Sequence, residues 1–445
     1  MRLSATSATI VLLLSCLWTV FVPASAQELP SKWYFGKGYN DKVSKNWAKD
    51  GIVATDCGQG ILKVVKADGS APDSSLVIKN KPVAGPVSAG DCLLFEFPKT
   101  KLEAGSFVEF DLTFSAEEGA PSEWIFEYFD GDWISGGKYK VYGNTFENSY
   151  QATSVLETAQ LKNAVDGTLR LRMRALKSKK IKTKKPAAHK GFVVLYNHAF
   201  LGAYVQDLGT VAPKDTLNLL YIGNSFTYYT SSAAMLKEIA WNEGHYIDLK
   251  LSIKGGARFH RHLGFAITDD AINKGNYDMA ILQEHSLGPA AIGKDKNSEY
   301  LQHSKDLAAK ILAKSPDCKF LVEFRTSATA KNNFYDCGDM KTYVKYTLKG
   351  TRRIAKAIGG EISNISDAFF LAQKERSDFD ILAADGSHPS KYGAYLKSCV
   401  NYLTIYGKPF GPSPADCDIE PEIAAYLRSV AERVVLKKHN KTNFQ

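Results

Sequence analysis

The sequence contains no Cys-x-x-Cys pair and no His-Glu-x-x-His run, so the common scaffolds of a zinc or redox site are missing, and neither a metal nor an organic cofactor is expected. Beyond the N-terminus, no segment is long and apolar enough to span a membrane. No internal repeat is visible, which argues against a solenoid or propeller. What is present is ordinary for a globular chain: 44% of the 445 residues are hydrophobic and 23% are charged. That composition excludes a collagen-like, coiled-coil or largely disordered chain. At roughly 100–200 residues per domain, the length predicts two or three domains.

Residues 1–26 read as a signal peptide. Arg2 is the basic start, residues 10–22 are apolar apart from Ser15 and Thr19, and Ala24-Ser25-Ala26 gives the small-x-small cleavage pattern. The mature chain is then expected to begin at Gln27 and to be exported, periplasmic or secreted. A transmembrane anchor is the alternative, but the stretch falls short of the ~20 apolar residues a spanning helix needs. Cys16 offers a lesser alternative, lipoprotein anchoring.

The formal net charge of +9 raises the question of nucleic acid. Acidic residues are absent between residues 177 and 190, where Lys177, Lys179, Lys180, Lys182, Lys184, Lys185 and Lys190 cluster. Without that loop and Arg2 the chain is nearly balanced. Basic residues interleaved with aromatics would suggest nucleic acid, and this segment has no aromatics. A solvated loop is the plain reading, and an acidic polysaccharide is the partner it would suit.

Six cysteines remain after the signal: Cys57, Cys92, Cys318, Cys337, Cys399 and Cys417. An even count in an exported chain predicts disulfides, with the local pairs Cys57–Cys92, Cys318–Cys337 and Cys399–Cys417 suggested by order. Buried free thiols are the alternative.

The pattern changes near residue 213. Before it, residues 94–98, 106–114, 124–129, 168–174 and 191–196 read as strands separated by Gly, Asn and Asp turns. In 168–174, Leu169, Leu171 and Met173 alternate with arginines, giving one buried and one wet face. Residues 27–212 are therefore expected to form an all-β sandwich, jelly-roll-like. After Pro213, strands (217–223, 247–253, 277–282, 319–324, 361–365) alternate with helices (232–243, 261–273, 299–314, 341–358, 392–405, 422–435). That alternation predicts an α/β unit over 213–436, a parallel sheet covered on both faces, with its site at the carboxyl ends of the strands. Residues 437–445 read as a frayed tail.

Tyr221-Ile222-Gly223-Asn224-Ser225-Phe226-Thr227 ends the first such strand. A serine there, just before a helix, sits where backbone N–H groups favour developing negative charge. Far along the chain lies Asp385-Gly386-Ser387-His388-Pro389. Asp385 and His388 are three residues apart on a tight turn, so the carboxylate can hold one imidazole nitrogen and leave the other for a serine. Pro389 suits the first turn of the next helix.

Together these two segments resemble the SGNH, or GDSL-like, hydrolase superfamily over roughly residues 217–412. The resemblance implies a three-layer α/β fold and a catalytic Ser225, Asp385 and His388. It also implies an oxyanion hole from the Ser225 N–H, a glycine N–H in Lys254-Gly255-Gly256-Ala257-Arg258 (Gly256, with Gly255 as its neighbour) and an asparagine after the third strand. This chain departs at the last point, reading Gln283-Glu284-His285, so Gln283 is the expected third donor. Asn224 stands where the family usually has aspartate and reads as a turn brace. Asn224, Glu284, His285 and Arg258 are the remaining candidates for substrate contact, and His260, Arg261 and His262 extend the basic run that could meet an anionic substrate.

The resemblance implies a serine esterase, with O-acetyl groups on a carbohydrate as the expected substrate. Trp124, Tyr128, Trp133 and Tyr139 are candidates for a sugar-stacking surface, or else for core packing. A lipase or thioesterase is the enzyme alternative. A non-catalytic glycan-binding surface protein with a decayed hydrolase domain is the rival from another class, and the altered third block is what favours it.

Overall fold

A computed structural model describes residues 61–67, 87–116, 118–142, 153–182, 203–228, 232–285, 287–326 and 337–439, with the short strands 31–33, 52–54, 74–78, 81–85 and 193–195. The expected signal segment, Cys57, Lys184, Lys185 and Lys190 lie outside them.

From Ser31–Trp33 to Ala203–Asp207 the chain forms two antiparallel sheets, one of seven strands and one of six. Phe107–Ala116 is central in the first, paired with Thr153–Gln160 on one side and Ala203–Asp207 on the other. Cys92–Leu102 and Val165–Ala175 are central in the second. Alternation turns Phe95, Phe97, Trp124, Phe126, Leu169, Leu171 and Met173 of one sheet and Val108, Phe110, Leu112 and Phe114 of the other into one shared core. On the outer face Arg172 and Arg174 pair with Glu127 at 2.6 and 2.5 Å. Trp124 is fully buried in the core, and Tyr128 and Tyr139 pack against it. Of the four aromatics considered for a sugar platform only Trp133 faces outward, and the Arg172 guanidinium lies 3.8 Å from its ring centroid.

The parallel sheet begins at Asp215. Its strands are labelled β1 (Asp215–Gly223), β2 (His245–Ile253), β3 (Met279–Leu282), β4 (Lys319–Glu323) and β5 (Glu361–Ser363), in the order β2-β1-β3-β4-β5. The helices are α1 (Ser225–Tyr228), α2 (Ser232–Asn242), α3 (Phe259–His262), α4 (Ala266–Lys274), α5 (Leu287–Lys294), α6 (Glu299–Leu312), α7 (Met340–Ile358), α8 (Ile365–Glu375), α9 (Lys391–Tyr406) and α10 (Pro421–His439). Leu219 and Tyr221 face α2, α8, α9 and α10, while Leu220 and Ile222 face α4 and α6. Burial on both faces explains why residues 219–222 of β1 read as an unbroken apolar run. The chain leaves β1 to one side for β2 and returns on the other side as β3. This makes the carboxyl ends of β1 and β3 a topological switch point, the place where open parallel sheets carry their ligand sites.

Several boundaries differ from the sequence pattern. The expected helix 261–273 is two helices, because Gly264 lies in the break between α3 and α4. Helix α5 was not anticipated; its Gly288, Pro289 and Gly293 disguise it. Pro389 precedes α9 rather than opening it, and Ser390 caps α9 by accepting from the N–H groups of Tyr392 and Gly393. Helix α10 continues through His439, past the expected start of the tail at residue 437. The cysteine pairing is corrected as well. Cys92, Cys318 and Cys399 are buried free thiols, so neither Cys318–Cys337 nor Cys399–Cys417 is a disulfide. Burial pushes the Cys92 thiol up to about 11 and the Cys318 thiol up to about 12, as expected of sulfur packed as a small hydrophobe.

The sheet regions meet through an ion pair. Glu109, on the strand Phe107–Ala116, lies 3.1 Å from Lys237 of α2, and both side chains are buried. Trp241 adds a hydrogen bond from its indole N–H to the Leu208 carbonyl at 2.9 Å.

Helices α5 and α7 touch backbone to backbone. A Cβ on Gly350 would sit 1.7 Å from the Pro289 carbonyl oxygen, and one on Gly293 would sit 1.9 Å from that of Tyr346. Helix propensity alone favours alanine over glycine by ~1 kcal/mol. The contact reverses that sign, so Gly350→Ala is expected to lower stability by about 1–3 kcal/mol in urea unfolding. A stabilised variant would contradict the α5–α7 packing.

Candidate active site

Ser225 opens α1, one residue (Asn224) beyond the end of β1. Its Oγ lies 2.8 Å from His388 Nε2, across 163 residues of sequence. His388 Nδ1 lies 2.6 Å from Asp385 Oδ2. The Asp385 Oδ1 accepts from the backbone N–H groups of Ser387 at 2.8 Å and His388 at 3.0 Å. Partial burial pushes this carboxyl up, but the hydrogen bonds from His388 and Ser387 outweigh it and hold the group below the ordinary carboxylate range. The ionised carboxylate fixes the proton of the imidazole on Nδ1, which leaves Nε2 to accept from the serine hydroxyl. Two further bonds shape this loop: Gly386 N–H to Ala383 O at 2.7 Å and Ala383 N–H to His388 O at 2.8 Å. Gly386 sits at φ +64°, in the left-handed region that favours glycine.

The turn that carries Ser225 is tied down at almost every backbone group. The Gly223 carbonyl accepts from Lys254 N–H at 3.1 Å and from His262 Nε2 at 3.1 Å. The Asn224 N–H donates to Gln283 Oε1 at 2.8 Å. The Asn224 carbonyl accepts from Thr227 N–H at 2.9 Å, and Phe226 N–H donates to the Asn224 side-chain oxygen at 3.2 Å. The Thr227 carbonyl accepts from the Ser232 hydroxyl at 2.8 Å. Among the described residues, no hydrogen bond occupies the Ser225 N–H itself. Among the described residues no hydrogen bond from the Gly256 N–H is seen either, in an exposed loop at φ +63°. That loop is joined to the serine turn by the Asn224 amide, which donates to the Ala257 carbonyl at 3.0 Å.

Gln283 does not point its amide at the serine. Its Oε1 faces two donors, Asn224 N–H and the Thr227 hydroxyl at 3.1 Å, and its Nε2 donates to the Glu284 carbonyl at 2.8 Å. The partners fix which end is oxygen and which is nitrogen. The expected third oxyanion donor is instead a brace under the turn, because the extra methylene lets the side chain reach back to Asn224. Asn224 is also corrected. Its side chain is spent on Ala257 and Phe226 and is buried, so it is not available to substrate.

Glu284 is buried too, and its carboxyl accepts from Phe259 N–H at 2.9 Å and His285 N–H at 2.6 Å. It anchors the start of α3 rather than facing substrate. Burial pushes this carboxyl up to about 8, against those two hydrogen bonds and the Arg258 charge. His285 is half-buried and neutral; burial, with Arg325, Arg258 and Arg261 nearby, brings it down to about 4. The Arg258 guanidinium donates to the Tyr300 hydroxyl at 2.5 Å. His262 leaves the list of residues that could greet an anion. It is buried, brought down to about 4 by burial, and bonded at both nitrogens, to Gly223 O and to Thr268 Oγ1 at 3.0 Å.

Several residues around the turn escaped the sequence pattern. Arg325 follows β4, its guanidinium 4.3 Å from the Phe226 ring centroid and bonded to the Ser387 carbonyl at 3.4 Å. Glu323 and Lys397 form a fully buried pair at 3.3 Å beneath the turn. An acid in the apolar strand 319–323 and a lysine on the inner face of α9 are the signals that could have found them.

No protein-family profile and no curated protein sequence matches this chain. Several solved structures align with parts of this chain. A DUF4886 family protein from Bacteroides uniformis is 16% identical, with a TM-score of 0.42, over 50% of this chain and 96% of that one. A candidate SGNH hydrolase from Slackia heliotrinireducens is 22% identical, with a TM-score of 0.36, over 43% of this chain and 99% of that one. A family two carbohydrate esterase from Cellvibrio japonicus is 11% identical, with a TM-score of 0.32, over 78% of this chain and 94% of that one. Likeness this loose decides no chemistry, which rests on the site itself.

The buried Glu284 yields a prediction with a definite sign. Its folded pKa, about 8, exceeds its ordinary value of 4.5. The folded state therefore holds a proton that the unfolded state has lost, and the associated stability is full below pH 4.5 and fades as pH rises through 8. Glu284→Gln is expected to flatten this decline, by on the order of a few kcal/mol between pH 5 and pH 8. Urea unfolding of both proteins at the two pH values checks it; parallel pH profiles would contradict it.

Proposed function

We propose that this chain is a serine esterase working through a covalent acyl-enzyme. The observation that carries the reading is the continuous contact from Asp385 through His388 to the Ser225 hydroxyl, at 2.6 and 2.8 Å. Ser225 Oγ attacks the ester carbonyl as His388 Nε2 takes its proton, and Asp385 holds the imidazole and stabilises the imidazolium. The carbonyl oxygen becomes an oxyanion, received by the N–H groups of Ser225 and Gly256. His388 then protonates the departing alkoxide. Water, deprotonated by His388, attacks the acyl-enzyme, and collapse of the second tetrahedral intermediate frees the acid and restores the Ser225 hydroxyl.

For substrate we propose an O-acetylated carbohydrate met outside the cell, after loss of residues 1–26. The two-sheet region stands as an accessory sandwich unit, with Trp133 its outward aromatic and the lysines of residues 177–190 its contact for polyanions. The apparent N-terminal signal sequence supports export, and the near-balanced charge elsewhere gives no support to nucleic acid as a partner.

The test is hydrolysis of p-nitrophenyl esters. Acetate is expected to turn over with wild type, Ser225→Ala to fall to the uncatalysed background, and Asp385→Asn to lose about 10³–10⁴-fold in kcat. Ser225→Ala matching wild type would overturn the mechanism. Faster turnover of octanoate than acetate would move the substrate to a lipid ester.

A further inference from the structure

Lys397 has no part in the proton transfers, yet it lies directly under the residues that carry them. Its side chain is fully buried on α9. An ammonium in such a place is costly to desolvate, and apolar replacements of buried ion pairs are often neutral or stabilising. Packing alone therefore gives no reason for a lysine. What the ammonium offers and a methionine lacks is donors, three of them. It donates to Phe226 O at 3.2 Å and to Thr227 Oγ1 at 3.5 Å, while Glu323 Oε2 lies 3.3 Å away as its ion-pair partner.

Both of these hydrogen bonds fall on the two residues after Ser225. Helix α1 has four residues, too few for its carbonyls to find partners within it. Lys397 supplies one for Phe226. The Thr227 hydroxyl passes the contact on, donating to Gln283 Oε1, which also accepts from Asn224 N–H. A chain of hydrogen bonds thus runs from α9 to the end of β3 and grips the serine turn on both sides of Ser225. Glu323 anchors its far end, accepting from the Tyr221 hydroxyl and from the Asn401 amide at 2.9 Å.

We propose that Lys397 is a positioning residue for Ser225, holding the nucleophile's turn in register with His388 through the Phe226 carbonyl and the Thr227 hydroxyl. The proposal rests on the esterase reading above. The groups facing the ammonium are Glu323 on β4, Tyr221 on β1, Phe226 and Thr227 on α1, and Arg325 after β4. Burial brings the lysine down to about 8 against the pull of Glu323.

The test keeps the charge balance. Lys397→Met combined with Glu323→Gln removes the donors without stranding a carboxylate, and Lys237→Met with Glu109→Gln makes the same change at the other buried pair. On p-nitrophenyl acetate, the Lys397 double variant is expected to lose roughly 10–100-fold in kcat, the scale of a small misplacement of a reacting group. KM should stay within about two-fold and Tm close to wild type, since only the turn's register changes. The Lys237 double variant should keep its kcat. Thr227→Val, which breaks the chain without touching the pair, should lose several-fold in kcat and decides the matter if the double variant fails to fold. Wild-type kcat in the Lys397 variant, or in Thr227→Val if the former does not fold, overturns the assignment alone. An inert wild type overturns the esterase reading and this assignment with it.

Discussion

The structure of the site depends on one constraint: the backbone of residues 223–227 is buried at the carboxyl edge of the sheet, so its polar groups must find partners inside the protein. Nearly all of them do. His262 and Lys254 hold Gly223, Gln283 holds Asn224, Asn224 holds Phe226, and Lys397 and Ser232 hold the two carbonyls beyond. These partners come from five separate segments, drawn together by the strand order of the parallel sheet. With the turn so held, the Ser225 hydroxyl is left to meet His388 Nε2 at 2.8 Å, which is the contact the proposed mechanism uses.

The ionisable groups around this turn differ in charge and in place. Glu284 and His262 are buried, held near neutrality by desolvation, and bonded to backbone. Asp385 sits on an exposed loop where backbone donors keep it ionised. Glu284 and His262 brace without charge, the buried Lys397–Glu323 ion pair braces from below, and the Asp385 carboxylate holds the His388 ring. The loop bearing His388 is itself anchored by the Ser390 cap of α9 and by Arg325. Helix α9 therefore touches the site twice, through the His388 loop at its start and through Lys397 one turn and a half further on.

Much of this was legible in the sequence. The change from antiparallel to parallel strands was visible because alternation gives way to continuous apolar runs at Leu217. Ser225, Asp385 and His388 were legible because each stands at a punctuated turn, and the structure brings those three side chains together. The bracing residues were not legible. Gln283 was read as a donor toward substrate, since nothing in a linear pattern tells which way a long amide turns. Glu323 was passed over as one acid ending an apolar strand and Lys397 as one polar residue among several on its helix, and only the tertiary fold makes them neighbours. The cysteine count misled for a related reason. An even number suggests pairs, but Cys318 and Cys399 are spaced by packing in apolar clusters and not by bonding.

Ser225 is proposed as a nucleophile activated by His388. Mass-spectrometric mapping after treatment with a fluorophosphonate tests it most directly. The wild-type protein is expected to give a single modified peptide, with the adduct on Ser225, and His388→Ala is expected to lose that adduct. An adduct on another serine, or labelling of Ser225 that persists unchanged without His388, would contradict it.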